Sequence, residues 1–384
     1  MRQDIRLALP TPDSLKLGNQ RIAFRADASL EIGSGHVMRC LTLADALRDK
    51  GAECWFICRS HPGHLAELIR SRGHHCQLLD VVAEPEQGTA GVSSPAHASW
   101  LGCSWMLDAA QTRVILAELR PAWLVVDHYA LDANWESKLR THVSRIMVID
   151  DLADRPHDCD LLLDQNLGRQ PDDYREHVPY SCQILTGPRY ALLRPEFARL
   201  RAFSLHRRKS SRLHQLLITM GGVDLPNATG EILNMLQQCL LPDDCRISVV
   251  MGPSAPWLGK VRDMARTMKW PTEILVGVND MATHMANCDL AIGAAGSTSW
   301  ERCCLGVPTL MVTLAQNQLV IGDALHHQGG AILIGALTAP HFKANFHELM
   351  STIIADPQRL SNMCANSSTL TDGNGCQDVI AWMI

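Results

Sequence analysis

The chain alternates short β-rich runs with amphipathic stretches, and it does so in two separate series. The strand-like runs of the first series are Arg21–Ala26, Cys54–Cys58, Ala122–Asp127, Arg145–Ile149 and Leu161–Leu163. Those of the second series are Leu213–Met220, Ile247–Met251, Glu273–Val276, Leu290–Gly293, Thr309–Val312 and Ala331–Ile334. This alternation is typical of parallel sheets covered by helices. We therefore predict an α/β protein built from two Rossmann-like βα domains.

The boundary between the two series falls near residue 200, which predicts domains of residues 1–200 and 201–384. Each is long enough to bury its own core. The stretch Arg199–Arg212 holds six Lys or Arg in fourteen residues and no strand pattern. We interpret it as a solvated interdomain linker, with RNA or membrane binding as the alternative. The Gly/Ser/Ala-rich stretch Val82–Trp105 is interpreted as a long surface loop without an assigned function.

Composition limits the kinds of partner that the chain can bind. The 384 residues carry a net charge of −5, so no global basic field favours nucleic acid or anionic lipid, and an anion must be bound locally. No apolar stretch reaches the roughly 18 residues of a membrane span, and Met1–Pro10 lacks the apolar core of a secretion signal. The 14 cysteines form no C-x-x-C pair, which favours reduced thiols in a cytoplasmic protein over a disulfide framework or a zinc site.

A glycine-rich turn, Gly33-Ser34-Gly35, follows the first strand-like run and leads into a helix. The buried face of that helix is marked by Val37, Leu41, Ala44 and Leu47, and its end by Gly51. The glycines allow the backbone to approach a ligand, and free N–H groups at the helix start attract a phosphate. A tight βα turn without a ligand is the alternative. His36 stands in the first helical turn, where a neutral imidazole can act as a base or make a structural hydrogen bond.

Two further turns belong to the second series. The run from Gly293 to Glu301 ends a strand with small residues and begins a helix, so that Gly296, Ser297 and Thr298 lie where N–H groups can meet a diphosphate. Glu301 lies one turn inside, where its carboxylate can accept both hydroxyls of a ribose or simply complement the helix dipole. Gly221 and Gly222 form another close-approach turn. Ligands of such sheets bind outside the carboxyl ends of the strands, so we expect the site between the two domains.

The order of these motifs resembles that of a known family. The shared segments are R-A-D-A-S-x-x-I-G-S-G-H-V-M-R-C at 25–40, D-H-Y at 127–129, I-D-D-L-A-D at 149–154, Y-A-L-L-R-P-E-F at 190–197, M-G-G-V-D at 220–224 and G-A-A-G-S-T-S-W-E-R at 293–302. They resemble the UDP-sugar hydrolases of pseudaminic acid biosynthesis. These are glycosyltransferase-like (GT-B) proteins related to the lipid II-forming N-acetylglucosaminyltransferase. The resemblance implies a GT-B-like fold with two Rossmann-like domains that face a central cleft.

The resemblance also implies an activity, which is hydrolysis of UDP-2,4-diacetamido-2,4,6-trideoxy-β-L-altropyranose to UDP and the free sugar, without a cofactor. His36 matches the family's catalytic histidine, and the carboxylate matching Glu301 binds ribose in the related transferase. Because UDP leaves as a stable anion, we expect one base to suffice, with His36 activating water and with inversion at the anomeric carbon. Asp27 is expected to orient His36 or hold a sugar group.

The expected substrate-binding residues are Asp27, Gly33, Ser34, Gly35, Tyr129, Gly221, Gly222, Gly296, Ser297, Thr298, Glu301, Gln316 and Asn317. Of these, Tyr129 and Asn317 are expected to contact the sugar. The acidic run from Asp150 to Asp164 includes a D-x-D, Asp158-Cys159-Asp160, that suggests Mg²⁺. Strand ends and turn caps explain it more simply, so we expect no metal. The alternatives to hydrolysis are an inverting UDP-sugar glycosyltransferase and a non-catalytic nucleotide-sugar sensor.

Overall fold

The computed structural model describes residues 18–81, 95–210, 212–315 and 318–384. Its contacts divide the chain into two units. The first unit runs to Leu192 and also includes the terminal stretch Gly375–Ile384. The second unit comprises Leu193–Asn374. The division thus falls before the predicted boundary at residue 200, because a helix that begins at Pro195 packs within the second unit.

Strands and helices alternate along the first unit. Its strands are β1 (Arg21–Ala26), β2 (Glu53–Arg59), β3 (His75–Leu79), β4 (Trp123–Asp127), β5 (Arg145–Ile149), β6 (Leu161–Asp164) and β7 (Gln183–Thr186). Its first helices are α1 (Gly35–Asp49), α2 (Ala66–Ser71), α3 (Trp105–Leu119) and α4 (Ala133–Leu139). The seven strands form one parallel sheet in the order β3-β2-β1-β4-β5-β6-β7.

The sequence pattern found the inner strands of this sheet and missed its two edges. Strands β1, β4 and β5 are buried almost throughout, so they read as continuous apolar runs. The edge strand β3 alternates between exposed and partly buried positions, and β7 has only four residues. Helix α1 buries Val37, Leu41, Ala44 and Leu47, which confirms the predicted face. Gly51, at φ +94°, follows its end as predicted.

The second unit repeats the pattern. Its helices are α5 (Pro195–Arg207), α6 (Ala228–Leu236), α7 (Leu258–Arg266), α8 (Met281–Asn287), α9 (Thr298–Cys304), α10 (Leu319–His327), α11 (Phe342–Ala355) and α12 (Gln358–Ser368). Its strands are β8 (Gln215–Thr219), β9 (Arg246–Met251), β10 (Thr272–Val276), β11 (Leu290–Ala294), β12 (Thr309–Thr313) and β13 (Ile332–Ala336). They form a parallel sheet in the order β10-β9-β8-β11-β12-β13. All six predicted runs are therefore strands.

The last helix, α13 (Gly375–Met383), belongs to the first unit because its apolar side chains pack there. Val379, Ile380 and Met383 are buried in the core that contains β1 and α1. The indole N–H of Trp123 donates to the carbonyl oxygen of Met383 at 2.9 Å. A Cβ at Gly375 would lie 2.2 Å from the carbonyl oxygen of Ala191, so only glycine fits at this entry point.

The basic stretch after residue 199 is not a solvated linker. Most of it lies in helix α5, and Arg201, Arg207 and Arg208 bind carbonyl oxygens at the ends of neighbouring helices. Arg208 donates to the carbonyls of Met285 and Cys288 at 2.8 and 2.7 Å. Arg201 donates to those of Cys304 and Ser368 at 2.5 and 2.7 Å. Cations are favoured at helix carboxyl ends, where carbonyl groups lack helical partners, and this explains the basic composition.

Both sheets reverse their strand order once, and the reversal lies between β1 and β4 in the first unit and between β8 and β11 in the second. At such a point the loops that leave the two strands turn to opposite faces of the sheet and open a crevice at the carboxyl edge. The connection from β1 to α1 and the residues after β4 meet at the first of these edges, while the turns after β8 and β11 meet at the second.

Two negative findings apply to the described residues. These include all 14 cysteines, and no disulfide is formed among them; every cysteine except Cys76 and Cys103 is buried. In the ranges that the structure covers, none of the helices combines the length and the apolar character needed to cross a membrane.

Candidate active site

His36 lies in the first turn of α1, and its ring is held by Asp127. Asp127 is the last residue of β4 and stands opposite Ala26 of β1. The Nδ1 of His36 is 2.5 Å from Oδ1 of Asp127. His36 is 8% exposed and Asp127 is fully buried. Because an ionised carboxylate only accepts hydrogen bonds, we assign the ring proton to Nδ1, which leaves Nε2 as the basic nitrogen.

Arg39, one helical turn after His36, binds the same carboxylate. Its Nε lies 2.6 Å from Oδ2 of Asp127 and its Nη2 lies 2.7 Å from Oδ1, so the pair is bidentate. Burial by itself raises the pKa of Asp127, but the charge of Arg39 and the contact with His36 outweigh it and hold the pKa below its ordinary value. Asp127 is therefore ionised at neutral pH and stabilises positive charge on His36, which the helix dipole disfavours.

Asp151, just after β5, joins this group to Tyr129. Its Oδ2 accepts hydrogen bonds from Nη1 of Arg39 at 2.7 Å and from the hydroxyl of Tyr129 at 2.6 Å. Burial, together with Asp151, raises the pKa of the Tyr129 hydroxyl well above its ordinary value. The Tyr129 ring meets the His36 ring edge-on, with centroids 4.6 Å apart. Tyr129 thus lies beside His36 while its proton is donated to Asp151.

Asp27 belongs to a different group of side chains. It is fully buried, and its Oδ1 accepts hydrogen bonds from Nη1 of Arg25 at 2.7 Å and from the backbone N–H of Arg59 at 2.6 Å. Burial raises the pKa of Asp27, but Arg25 and the other partners outweigh it and hold the pKa well below its ordinary value. The expectation that Asp27 orients His36 is therefore corrected: Asp127 does so.

The glycine turn before α1 leaves its backbone open. Gly33 has φ +80°, a conformation that favours glycine, and its N–H donates to the carbonyl of Ser29 at 2.9 Å. An added Cβ at Gly33 or Gly35 would meet no described atom within 4 Å. Ser34 is exposed, and its side chain does not cap α1. This first helical turn thus keeps N–H groups that a side chain would otherwise have bound, as an anion site requires.

In the second unit, Asp224 anchors the turn that follows β8. Its carboxylate accepts hydrogen bonds from the backbone N–H groups of Ala228 at 2.8 Å and Thr229 at 2.9 Å. Around Gly221, at φ +91°, and Gly222 an added Cβ would meet no described atom within 4 Å. The start of α6 is therefore capped by Asp224, and the two predicted glycines remain open to a ligand.

The turn between β11 and α9 is held from behind by a buried guanidinium. The Oγ of Ser299 accepts hydrogen bonds from the N–H of Gly296 at 3.3 Å and from Nη2 of Arg302 at 3.0 Å. Arg302 is 1% exposed, and its Nη2 also donates to the carbonyl of Ala294 at 2.8 Å. Ser297, just before α9, is exposed and does not cap the helix. A positive charge thus lies directly behind the segment expected to meet a diphosphate.

Glu301 lies in the first turn of α9, next to Arg194. Its side chain is 17% exposed, and its Oε1 is 3.5 Å from Nη2 of Arg194. Burial raises the pKa of Glu301, while the charges of Arg194 and Arg302 oppose that change. Arg194 also lies 3.2 Å from Glu196, so one guanidinium is shared by two carboxylates. The Arg194 contact fixes one oxygen of Glu301 and leaves the carboxylate accessible at the edge of the turn.

The described site residues form two groups, each at the strand reversal of its own unit. The first group is Asp27, Gly33, Ser34, Gly35, His36 and Tyr129, and the second is Gly221, Gly222, Gly296, Ser297, Thr298 and Glu301. The predicted Gln316 and Asn317 lie outside the described residues. Sequence reasoning assigned no role to Asp127, Arg39, Asp151 or Arg194. Each of them stands in a motif that the sequence displays, and Asp127 ends a predicted strand.

The acidic run after β5 consists of paired carboxylates. Asp158 and Asp160 both bind Arg140, at 2.9 and 2.5 Å. Asp150 pairs with Arg155 at 2.8 Å and accepts two backbone N–H groups of the following turn. Within the described ranges, no group of three or more His, Cys, Asp or Glu side chains is arranged to hold a metal ion. The D-x-D segment therefore binds a guanidinium.

Comparison with known proteins supports the resemblance. No protein-family model matches the chain. The UDP-2,4-diacetamido-2,4,6-trideoxy-β-L-altropyranose hydrolase of Campylobacter jejuni is 27% identical over 248 residues, which cover 64% of this chain and 74% of that protein. The spore coat polysaccharide biosynthesis protein SpsG of Bacillus subtilis is 29% identical over 211 residues, 54% of this chain and 60% of that protein. The chain therefore spans less than two thirds of the second relative. The predicted resemblance to the UDP-sugar hydrolases is confirmed.

Solved structures establish the fold. MurG of Acinetobacter baumannii superposes with a TM-score of 0.70 at 15% identity, over 95% of this chain and 99% of that one. Anabaena HepE, in complex with UDP and glucose, gives a TM-score of 0.56 at 12% identity with the same two coverages. At these identities the likeness concerns the fold alone. It confirms the predicted GT-B-like class with two Rossmann-like domains.

Proposed function

We propose that this protein hydrolyses a UDP-sugar to UDP and the free sugar, and that its substrate is UDP-2,4-diacetamido-2,4,6-trideoxy-β-L-altropyranose. The observation that carries the proposal is the buried pair of His36 and Asp127 at the open first turn of α1. The similarity to the Campylobacter jejuni enzyme supports the class of reaction and the choice of sugar.

The His36–Asp127 pair is suited to activate water. With Nδ1 bound to Asp127, the Nε2 of His36 can accept a proton from a water molecule as that water attacks the anomeric carbon. Asp127 stays ionised and stabilises the imidazolium that results, in the manner of the aspartate in a Ser-His-Asp triad. Asp127 also holds the His36 ring in one tautomer and one orientation. The base is therefore already positioned when the substrate binds.

The second unit is suited to bind the nucleotide. Glu301 can accept hydrogen bonds from the two ribose hydroxyls, while the open backbone of the turn after β11, backed by Arg302, meets the negative diphosphate. Anabaena HepE, which shares the fold, was solved in complex with UDP and glucose and in complex with UDP-glucose, and this agrees with such a use of the fold. The net charge of −5 does not oppose binding of the diphosphate, because a positive group, Arg302, lies directly behind this turn.

The leaving group decides how much catalytic machinery the reaction needs. UDP departs as a stable dianionic or trianionic diphosphate, so protonation of the leaving oxygen contributes little. One base on the face of the sugar opposite to the diphosphate is then enough, and a single displacement through an oxocarbenium-like transition state inverts the anomeric carbon. No step of this scheme requires a metal, and full activity in a chelator is expected.

The experiment that tests the proposal measures UDP release from a panel of UDP-sugars with no acceptor present. Stoichiometric release of UDP and free sugar from the diacetamido-trideoxy substrate supports hydrolysis. Release that appears only when a lipid or sugar acceptor is added identifies a glycosyltransferase. Binding of UDP-sugar without any turnover identifies a sensor.

The variant His36→Ala separates catalysis from binding. We expect it to lower the rate of UDP release by about 10²–10⁴-fold and to leave the affinity for UDP within a factor of about two. His75→Ala is the matched control, because His75 is an exposed histidine on β3, at the edge of the same sheet. Equal rates for His36→Ala and the native protein would refute the role of His36 as the base.

A further inference from the structure

The segment that precedes α3 places two aromatic side chains on Tyr129. The ring centroid of His97 lies 5.5 Å from that of Tyr129, and the ring centroid of Trp100 lies 5.8 Å from it with an interplanar angle of 26°. His97 and Trp100 are themselves in contact, with centroids 4.4 Å apart. We call His97, Trp100 and Tyr129 the ring cluster. His97 and Trp100 come from the stretch Val82–Trp105, which the sequence pattern indicated only as a surface loop.

The described part of this segment is anchored by the residues that directly follow Trp100. Leu101 is buried in the core that contains β4 and α3. Gly102, at φ +70°, packs so closely on His61 that an added Cβ would lie 2.6 Å from the Cε1 of that ring. Ser104 then caps α3 by accepting a hydrogen bond from the N–H of Leu107 at 3.3 Å. The position of Trp100 is therefore set by packing of the residues that follow it.

The hydroxyl proton of Tyr129, the third member of the cluster, is already used in a hydrogen bond, so Tyr129 contributes its ring to the cluster. Tyr129 donates its hydroxyl proton to Asp151 at 2.6 Å, and Asp151 is held in turn by Arg39 and Asn166. That bond fixes the ring against rotation. His97 and Trp100 are only partly buried, whereas Tyr129 is 8% exposed. The accessible surface of the cluster is therefore mostly contributed by His97 and Trp100.

The cluster adjoins the proposed base. The His36 ring lies 4.6 Å from the Tyr129 ring, centroid to centroid, and Tyr129 contacts both other rings. A water molecule activated by His36 lies about 3 Å from Nε2, and the anomeric carbon that it attacks is about 3–3.5 Å further on. Tyr129 thus links Trp100 to the His36 ring, and the ring cluster borders the space next to the proposed base.

We propose that the ring cluster is the subsite for the apolar substituents of the sugar, namely the methyl and N-acetyl groups of a deoxy-acetamido sugar. This rests on the proposed function, because it takes the sugar to be bound next to His36. Aromatic faces pack well against methyl and acetyl groups, and Trp100 offers an uncharged and partly accessible face of this kind. The segment before α3 thereby gains a role in sugar specificity.

The test compares substitutions of Trp100 with a control substitution in another pair of stacked rings of the same unit. Trp100→Ala is expected to raise KM for the diacetamido-trideoxy UDP-sugar about tenfold and to leave the affinity for UDP, measured by calorimetry, unchanged. Trp100→Phe keeps a ring and is expected to stay within about threefold of the native KM. Trp55 and His75 stack at 4.0 Å in the same unit, so His75→Ala removes a similar ring contact and serves as the control, with KM unchanged.

Two results would overturn the inference. One is an unchanged KM in Trp100→Ala when its circular dichroism and melting temperature match those of the native protein. The other is an equal loss of affinity for UDP alone, which would mean that the ring cluster acts on the nucleotide or on the fold. Failure of the proposed function has a different signature, because the native protein then releases no UDP from any UDP-sugar. In that case calorimetry with the intact UDP-sugar still tests the cluster, since Trp100→Ala should remove any gain in affinity over UDP.

Discussion

Asp127 and His36 are 91 residues apart in the chain and 2.5 Å apart in the structure, carboxylate oxygen to Nδ1. Their contact exists because β4 pairs directly with β1, which brings the end of one strand beside the helix that follows the other. Arg39 completes the arrangement with two hydrogen bonds to the same carboxylate.

The first prediction concerns Asp127. Asp127→Asn removes the charge that fixes the His36 tautomer and stabilises its protonated form, so the turnover number should fall by about 10³–10⁴-fold with little change in UDP affinity. The ¹⁵N chemical shifts of the His36 ring should show loss of the Nδ1–H preference. A variant that keeps that tautomer and the native rate would contradict the assigned role.

The second prediction concerns the two carboxylates that share Arg194. Glu301→Gln should weaken UDP binding by about 10–100-fold, because a hydrogen-bonded ionised acceptor for the ribose is replaced by a neutral amide. Glu196→Gln changes a carboxylate that also lies beside Arg194, at 3.2 Å, and should leave UDP affinity within about twofold. Calorimetric titration with UDP distinguishes the two. Equal losses in both variants would assign the effect to Arg194 instead of to a ribose contact.

The third prediction concerns pH and Asp164, the last residue of β6. Burial, with Asp151 and Asp150 nearby, raises the pKa of Asp164 to about 7. The folded protein therefore binds a proton that the unfolded chain has lost above about pH 4, so this group's contribution to stability falls as pH rises toward 7. Asp164→Asn should shrink the drop in the free energy of unfolding between pH 5 and pH 8. Urea denaturation at the two pH values measures it.

The control for that experiment is Asp172→Asn, since the Asp172 side chain is 94% exposed. It should leave the pH dependence of the free energy of unfolding as it is in the native protein. If Asp164→Asn also behaves like the native protein, the carboxyl of Asp164 is not protonated in the folded state near neutral pH.

The fourth prediction concerns Arg208, at the end of α5. Its guanidinium is buried and donates to carbonyl oxygens of Met285, Ala286 and Cys288, where α8 ends. Arg208→Ala leaves those carbonyls without a partner and should lower the free energy of unfolding by about 2–4 kcal/mol. Arg199→Ala, at an exposed position of the same helix, should change it by less than about 0.5 kcal/mol. Similar melting temperatures for the two variants would restore the interpretation of this stretch as a solvated segment.

Several features were readable from the sequence because they depend on local order. Inner parallel strands are buried on both faces and therefore appear as apolar runs, which is how the four inner strands of the second sheet were predicted. Its edge strands β10 and β13 are only partly buried, but they too are short apolar runs. The glycine turn and the start of α1 were also predicted from the sequence, because Gly33, the helix start and His36 follow one another along the chain. The edge strand β3 was missed because its exposed positions carry polar residues that interrupt the pattern.

The partners of these residues were decided by tertiary structure. Asp27 and Asp127 are both aspartates at the ends of strands, and the sequence offered no reason to prefer the distant one as the partner of His36. Strand pairing supplied that reason, since it set Asp127 beside His36 and enclosed Asp27 with Arg25. The same holds for Trp100, which reaches Tyr129 only through the packing of Leu101 and Gly102. Local patterning specifies which elements form, because it depends on neighbours along the chain, whereas contacts between elements depend on how the sheets are assembled.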